Sequence, residues 1–178
     1  DFGYESYAGC DALPDGAAKG VDQFSAGDWF GCVEEGPLAD CETHRLAARA
    51  CEAIREFSAG GAPWHVQLNF PQPHPPYRPH ASFAARVREA PPWGGCRDTL
   101  EDKPAIQRRL RENWALDGVS EEEWRRARRN YLAVISQMDD AIGRVLRTLD
   151  EAGARENTLV IYSSDHGDMC GSHGLFDK

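Results

Sequence analysis

Three groups of residues in this chain could do chemistry. The first is Asp165-His166, followed at once by Gly167. Adjacent Asp and His offer a hard carboxylate oxygen and an imidazole nitrogen to a divalent cation. Gly167 lets the backbone turn sharply after them. The same triplet would also serve as a plain turn in which Asp165 caps the next segment. The second is His74, set in Pro71-Gln-Pro-His-Pro-Pro-Tyr77. The third is Lys178, at the end of the stretch that starts from Asp165. A cation, an ammonium or a protonated imidazole can each stabilise developing negative charge. Each residue also has a plainer reading, His74 as a loop histidine bound to backbone and Lys178 as a solvated side chain.

The elements that must position these residues can be read from periodicity. Leu46, Ala50, Ile54 and Phe57 recur at helical spacing over 42–59, and Gly60-Gly61 supplies a stop. Trp64, Val66, Leu68 and Phe70 alternate with polar residues, which predicts a strand running into the proline-rich segment. Four prolines in seven residues can neither continue a strand nor start an ordinary helix, so 71–77 reads as a stiff extended loop. A long connection, 78–119, has room for short helices near 82–89 and 105–114. Ser120 with Glu123 forms a capping box. Behind it Trp124, Ala127, Tyr131, Val134, Ile135, Met138, Ile142, Val145, Leu146 and Leu149 make one apolar stripe, closed by Gly153. Thr158–Ser163 is short, apolar and β-branched, the mark of a buried strand. Strand, crossover helix and strand predict an α/β fold with a mostly parallel sheet flanked by helices. Ligands of such a sheet gather beyond the carboxyl ends of its strands, where both His74 and Asp165-His166 would lie.

Composition narrows the classes. The chain has 178 residues, 41% hydrophobic and 28% charged, as a globular domain does. Its net charge of -9 argues against nucleic acid as a partner. The Arg125–Arg129 cluster reads as a solvated helix face rather than a phosphate-binding patch. No run is long and apolar enough to suggest a membrane span. The six cysteines include no CxxC pair, so a thiolate zinc site is not expected. The sequence names no compartment. Unpaired thiols would favour the cytoplasm over the periplasm.

Asn157–Lys178, with its Ser-Asp-His-Gly-Asp and its closing Asp-Lys, resembles the second metal-binding motif of sulfatases. Asp139-Asp140-Ala-Ile-Gly143 is similar to a run on the helix before that motif, and Asn69–Tyr77 to the family's Pro-His-Pro-Pro-Tyr loop. The resemblance is specific over 64–77 and 131–178. It implies an alkaline phosphatase-like α/β fold, incomplete in this chain, and hydrolysis of a small-molecule sulfate ester by the parent enzyme. By the same resemblance Asp165 and His166 bind the cation, while His74 and Lys178 contact the sulfate or its leaving oxygen. Ca²⁺ is then the expected cation. Mn²⁺ or Zn²⁺ would suit the alternative, a phosphonate monoester or phosphodiester hydrolase of the same superfamily. Asp168 and His173 fall outside this bet.

The chain also departs from the pattern. The family's nucleophile stands in a Cys/Ser-x-Pro-x-Arg motif, its Cys converted to formylglycine. Cys41-Glu-Thr-His-Arg45 and Cys51-Glu-Ala-Ile-Arg55 have the spacing but lack the Pro, and both fall on the predicted helix. The expectation is that 1–178 is the central part of the catalytic domain, with the formylglycine segment preceding it and a smaller subdomain following. Two protein ligands cannot hold Ca²⁺ tightly, since it takes about 6–8 oxygens. The segment alone is therefore expected to be inactive. A non-catalytic, truncated paralogue that binds an anion is the reading from a different class.

Overall fold

The computed structural model describes residues 29–91 and 99–178. Cys10 and Cys96 lie outside them. Among the described residues four α-helices are formed, α1 (Glu42–Gly60), α2 (Ala81–Ala84), α3 (Ala105–Asn113) and α4 (Glu121–Glu151). Among the described residues no helix is long and apolar enough to cross a membrane.

Helix α4 starts and stops where local chemistry says it should. The Ser120 side chain accepts from the Glu123 backbone N–H, and the Glu123 carboxylate accepts from the Ser120 N–H at 2.8 Å. The Ser120 hydroxyl also donates to that carboxylate at 2.7 Å, and this bond, with the one from the Ser120 N–H, holds the Glu123 carboxyl below the usual carboxylate range. At the far end Gly153 takes a left-handed φ of 66°. Its N–H reaches Asp150 O, and the Ala154 N–H reaches Leu149 O, which satisfies carbonyls the helix leaves open. Helix α1 likewise stops at Gly61, with φ 70°.

Helices α1 and α4 pack against each other in the same direction. Thr43 meets Gln137, His44 meets Asp140 and Arg55 meets Thr148 across sequence separations of 94, 96 and 93 residues. The buried face of α1 is Thr43, His44, Ala47, Ala50, Cys51 and Ile54, whereas Phe57 is exposed. The predicted stripe is thus rotated. Ala47 and Ala141 are both fully buried, and small side chains there let the two backbones approach closely. The stripe of α4 divides in two. Trp124, Ala127, Val134, Met138 and Leu149 are buried, while Tyr131, Ile142, Val145 and Leu146 stay half-buried and Ile135 is exposed; outside the stripe Ala133, Gln137, Ala141 and Thr148 are buried too, against α1.

The parallel sheet expected from the sequence is not there. Among the described residues no strand ladder forms, and Glu34–His80 is an isolated parallel bridge. Residues 64–70 and 158–163 are irregular and without strand pairing. Leu159, Ile161 and Tyr162 are 85%, 78% and 75% exposed. An open groove of about 2350 Å³ lies between these segments and the half-buried face of α4. The physical reason is that alternation and β-branching make a segment compatible with a sheet but supply no partner. A strand's N–H and C=O groups must be met by a neighbour.

The core lies instead around the N-terminal half of α4. Phe30, Tyr77, Leu116, Trp124, Ala127, Val134, Cys170 and Phe176 form one buried cluster. Its rings meet edge-on or tilted, as in Phe30–Phe176 at 5.2 Å and Tyr77–Phe176 at 5.7 Å, the arrangement aromatic quadrupoles prefer. Gly31 is required here. With φ 73°, a Cβ on it would stand 1.9 Å from Tyr77 O. Arg128, from the basic cluster read as solvated, is 1% exposed and bonds Glu121 at 2.9 Å. Only its neighbours fit that reading, with Arg125 more than half exposed.

Candidate active site

The proline-rich segment is turned rather than extended. The His74 N–H bonds Pro71 O at 3.1 Å, and the Gln72–Pro73 and Pro75–Pro76 peptides are cis. The turn leaves the His74 side chain 42% exposed, above the aromatic cluster that holds Tyr77. His74 Nδ1 lies 2.8 Å from Pro75 O. A carbonyl can only accept, so Nδ1 carries a proton and the outward atom is Nε2.

The 168–178 segment delivers Lys178 to that atom. It folds back on itself, with the Met169 N–H bonding Asp177 O and the Gly171 N–H bonding Leu175 O. Gly171 is pressed onto Trp124, where a Cβ would stand 2.9 Å from the ring. Leu175 and Phe176 are buried, and Lys178 emerges beyond them. Lys178 Nζ donates to His74 Nε2 at 3.0 Å and to Asp177 Oδ1 at 3.1 Å. Asp177 Oδ1 is also 3.9 Å from His74 Nε2. Asp177 therefore joins the site, though nothing in the sequence reading singled it out. Its place beside Lys178 was the available signal.

His166 lies nearby, its ring centroid 6.4 Å from that of His74. His166 Nδ1 is 2.7 Å from Gly167 O, which again puts the proton on Nδ1 and the lone pair on Nε2. That Nε2 is 3.5 Å from Asp165 Oδ2. Two acceptors face each other there, a pair that a proton or a cation between them would reconcile. Asp165 is 87% exposed and uses Oδ1 to cap the His166 N–H at 3.0 Å, so the turn-capping alternative is also realised. Among the described residues no group of three or more His, Cys, Asp or Glu side chains is arranged to hold a metal ion. Asp165 and His166 fit a cation as two donors of a larger set.

Beneath these loops Tyr77 bonds Asp168 at 2.6 Å. The Cys170 backbone N–H and thiol also donate to Asp168, at 2.8 and 3.2 Å. Burial, then Cys170 and Asp168, raises the Tyr77 hydroxyl far above its ordinary value, so it stays protonated. Burial and Asp168 likewise push the Cys170 thiol up. Tyr131, packed on Tyr77, is pushed up to about 12, first by burial and then by Cys170 and Asp168. The thiols at the two rejected Cys-x-x-x-Arg runs are buried. Cys41 caps α1 rather than lying inside it, and burial with Glu34 and Asp40 raises its thiol, unlike an activated nucleophile. His173 sits in the Ser172–Gly174 turn with φ 58°.

The profile of the Sulfatase family matches residues 4–177. The chain belongs to the sulfatase family. This sulfatase chain is 35% identical over 120 residues to the choline-sulfatase of Rhizobium meliloti, covering 65% of this chain and 23% of that one. It is 31% identical over 133 residues to the multifunctional alkaline phosphatase superfamily protein PehA of Trinickia caryophylli, covering 66% and 26%. It is 26% identical over 165 residues to the iduronate 2-sulfatase of mouse, covering 82% and 28%. The sulfatase chain thus spans about a quarter of the length of the curated relatives it matches.

Proposed function

We propose that the enzyme containing this chain hydrolyses sulfate esters with the help of a divalent cation, and that this chain contributes one part of the site. The observation that carries the reading is the convergence of His74 and Lys178. They are 104 residues apart in sequence and 3.0 Å apart in space, with His166 beside them. Family membership and the choline-sulfatase likeness give the ester its class.

Each residue has a stated task. Asp165 Oδ2 and His166 Nε2 are the atoms that would hold the cation, and Gly167 O fixes the imidazole in the tautomer that leaves Nε2 free. The cation, Ca²⁺ in this reading, would supply positive charge near the ester oxygens. The other donors, and a formylglycine nucleophile, would come from the remainder of the protein. Lys178 and His74 share a hydrogen bond whose proton can follow charge onto a leaving oxygen. Asp177, at 3.1 Å, holds the ammonium aimed.

A phosphonate monoester or phosphodiester is the second substrate reading. It is favoured by the likeness to a relative whose name records several activities within the alkaline phosphatase superfamily. Rates of the full-length enzyme on 4-nitrophenyl sulfate and on a 4-nitrophenyl phosphonate ester, with and without EDTA, decide between them. Sulfate ester hydrolysis should be lost with EDTA and in Asp165→Ala, by at least about 100-fold. Chelator-insensitive turnover, or turnover unchanged in Asp165→Ala, would sink the metal-dependent reading. The present chain by itself should turn over neither ester.

A further inference from the structure

We propose that Tyr77 and Asp168 are positioning residues that lock the His74 loop to the Asp165-His166 loop. This rests on the reading of the site given above. The two loops meet through side chains at one place in particular. Tyr77 closes the proline turn, three residues after His74, and its hydroxyl donates to Asp168 Oδ2 at 2.6 Å across 91 residues of sequence. Asp168 stands two residues after His166. Its other oxygen accepts from the Cys170 N–H and thiol. Asp168 therefore receives three donors, with one of its oxygens committed to Tyr77.

The geometry is that of a rigid link rather than incidental packing. Tyr77 is 0% exposed, and its ring is wedged between Tyr131 and Phe176. Its main chain is pinned by the Tyr77 N–H to Trp29 O and by close contact with Gly31. The hydroxyl is thus a fixed point. Asp168, by contrast, belongs to a stretch whose preceding residues, 159–167, are exposed. A short hydrogen bond from a fixed phenol to the first partly buried residue after them sets where His166 stands relative to His74. Neither side chain touches the reacting groups. Their effect would pass through the spacing of the two imidazoles.

The test uses the full-length enzyme with Tyr77→Phe, Asp168→Asn and the double variant. Tyr77→Phe removes one oxygen and leaves the ring in its place. A residue that orients a metal ligand from behind is worth about 10–100-fold in affinity or activity. The Ca²⁺ dissociation constant, read by calorimetry without substrate, and the Ca²⁺ concentration for half-maximal hydrolysis should therefore each rise about tenfold in each single variant. The double variant should be no worse than the worse single one, because both break one bond. Saturating Ca²⁺ should restore much of kcat, an outcome a merely structural role would not give. Wild-type Ca²⁺ dependence in all the variants overturns the proposal, as does a loss that Ca²⁺ cannot restore and that follows the unfolded fraction. Should Tyr77→Phe fail to fold, Asp168→Asn carries the same comparison. Asp165→Ala run alongside separates the two ideas. Activity lost there but unaltered in Tyr77→Phe and Asp168→Asn removes the link and leaves the site. Activity kept in Asp165→Ala removes the functional reading itself.

Discussion

Two consecutive stretches of this chain, 158–166 and 168–178, both carry apolar runs and both carry site residues, yet they end in opposite environments. In the second, Cys170, Leu175 and Phe176 are 4%, 3% and 3% exposed, closed over Trp124 and Tyr77. In the first, Leu159, Ile161 and Tyr162 face the open groove. The difference is one of partners. The 168–178 turn satisfies its backbone internally and finds α4 beside it. Residues 158–163 would need neighbours of a kind the described residues do not offer. The His74–Lys178 half of the site therefore stands on a core this chain builds itself, whereas Asp165-His166 is steadied mainly through Asp168.

Three substitutions in this chain would break or sharpen that contrast. Phe176→Ala should cost the most, about 3–5 kcal/mol, because it empties a ring-filled position at the centre of the aromatic cluster. Denaturant titration measures it, and a loss below about 1 kcal/mol would mean that the second stretch is not anchored as described. Ser120→Ala should cost about 1 kcal/mol at neutral pH by removing the cap of α4. Its pH dependence has a definite sign. The Glu123 carboxyl is held below the usual carboxylate range in the folded state, so its contribution is present above its unfolded value. It fades as pH falls through the lower, folded value. The gap between thermal melts of the two proteins should narrow in acid without closing, because the Ser120 bond to the Glu123 N–H does not titrate, and a gap constant down to low pH would mean that the carboxylate half of the capping box adds nothing to it. Leu159→Ala should cost least, within about 0.5 kcal/mol, since an exposed side chain leaves no cavity. A large loss there would show that the first stretch is buried in solution.

The same contrast explains what could be read from the residues. Ser120, Glu123, Gly61 and Gly153 act on backbone within a few positions of themselves, so the ends of α1 and α4 were legible. Which face of α1 is buried was not, because it depends on Ala141, Gln137 and Thr148, over ninety residues away. The expected strands failed for a related reason. A segment's composition says what it tolerates, and pairing is decided by what stands next to it. Motifs singled out His74, Asp165, His166 and Lys178, and the structure brings His74, His166 and Lys178 together. Asp177 and the Tyr77–Asp168 bond were not, since a hydrogen bond across 91 residues leaves no mark in local sequence.

The parallel seating of α1 on α4 also constrains how the chain comes into being. Helix α1 leaves the ribosome while its partner surface, 93 to 96 residues downstream, is still unmade. At elongation rates of about 5–20 residues per second, that interval is roughly 5–20 seconds. Throughout it the Ala47, Ala50 and Ile54 face has nothing of α4 to rest on. A chaperone that shields short apolar helices would meet this protein at that moment of translation.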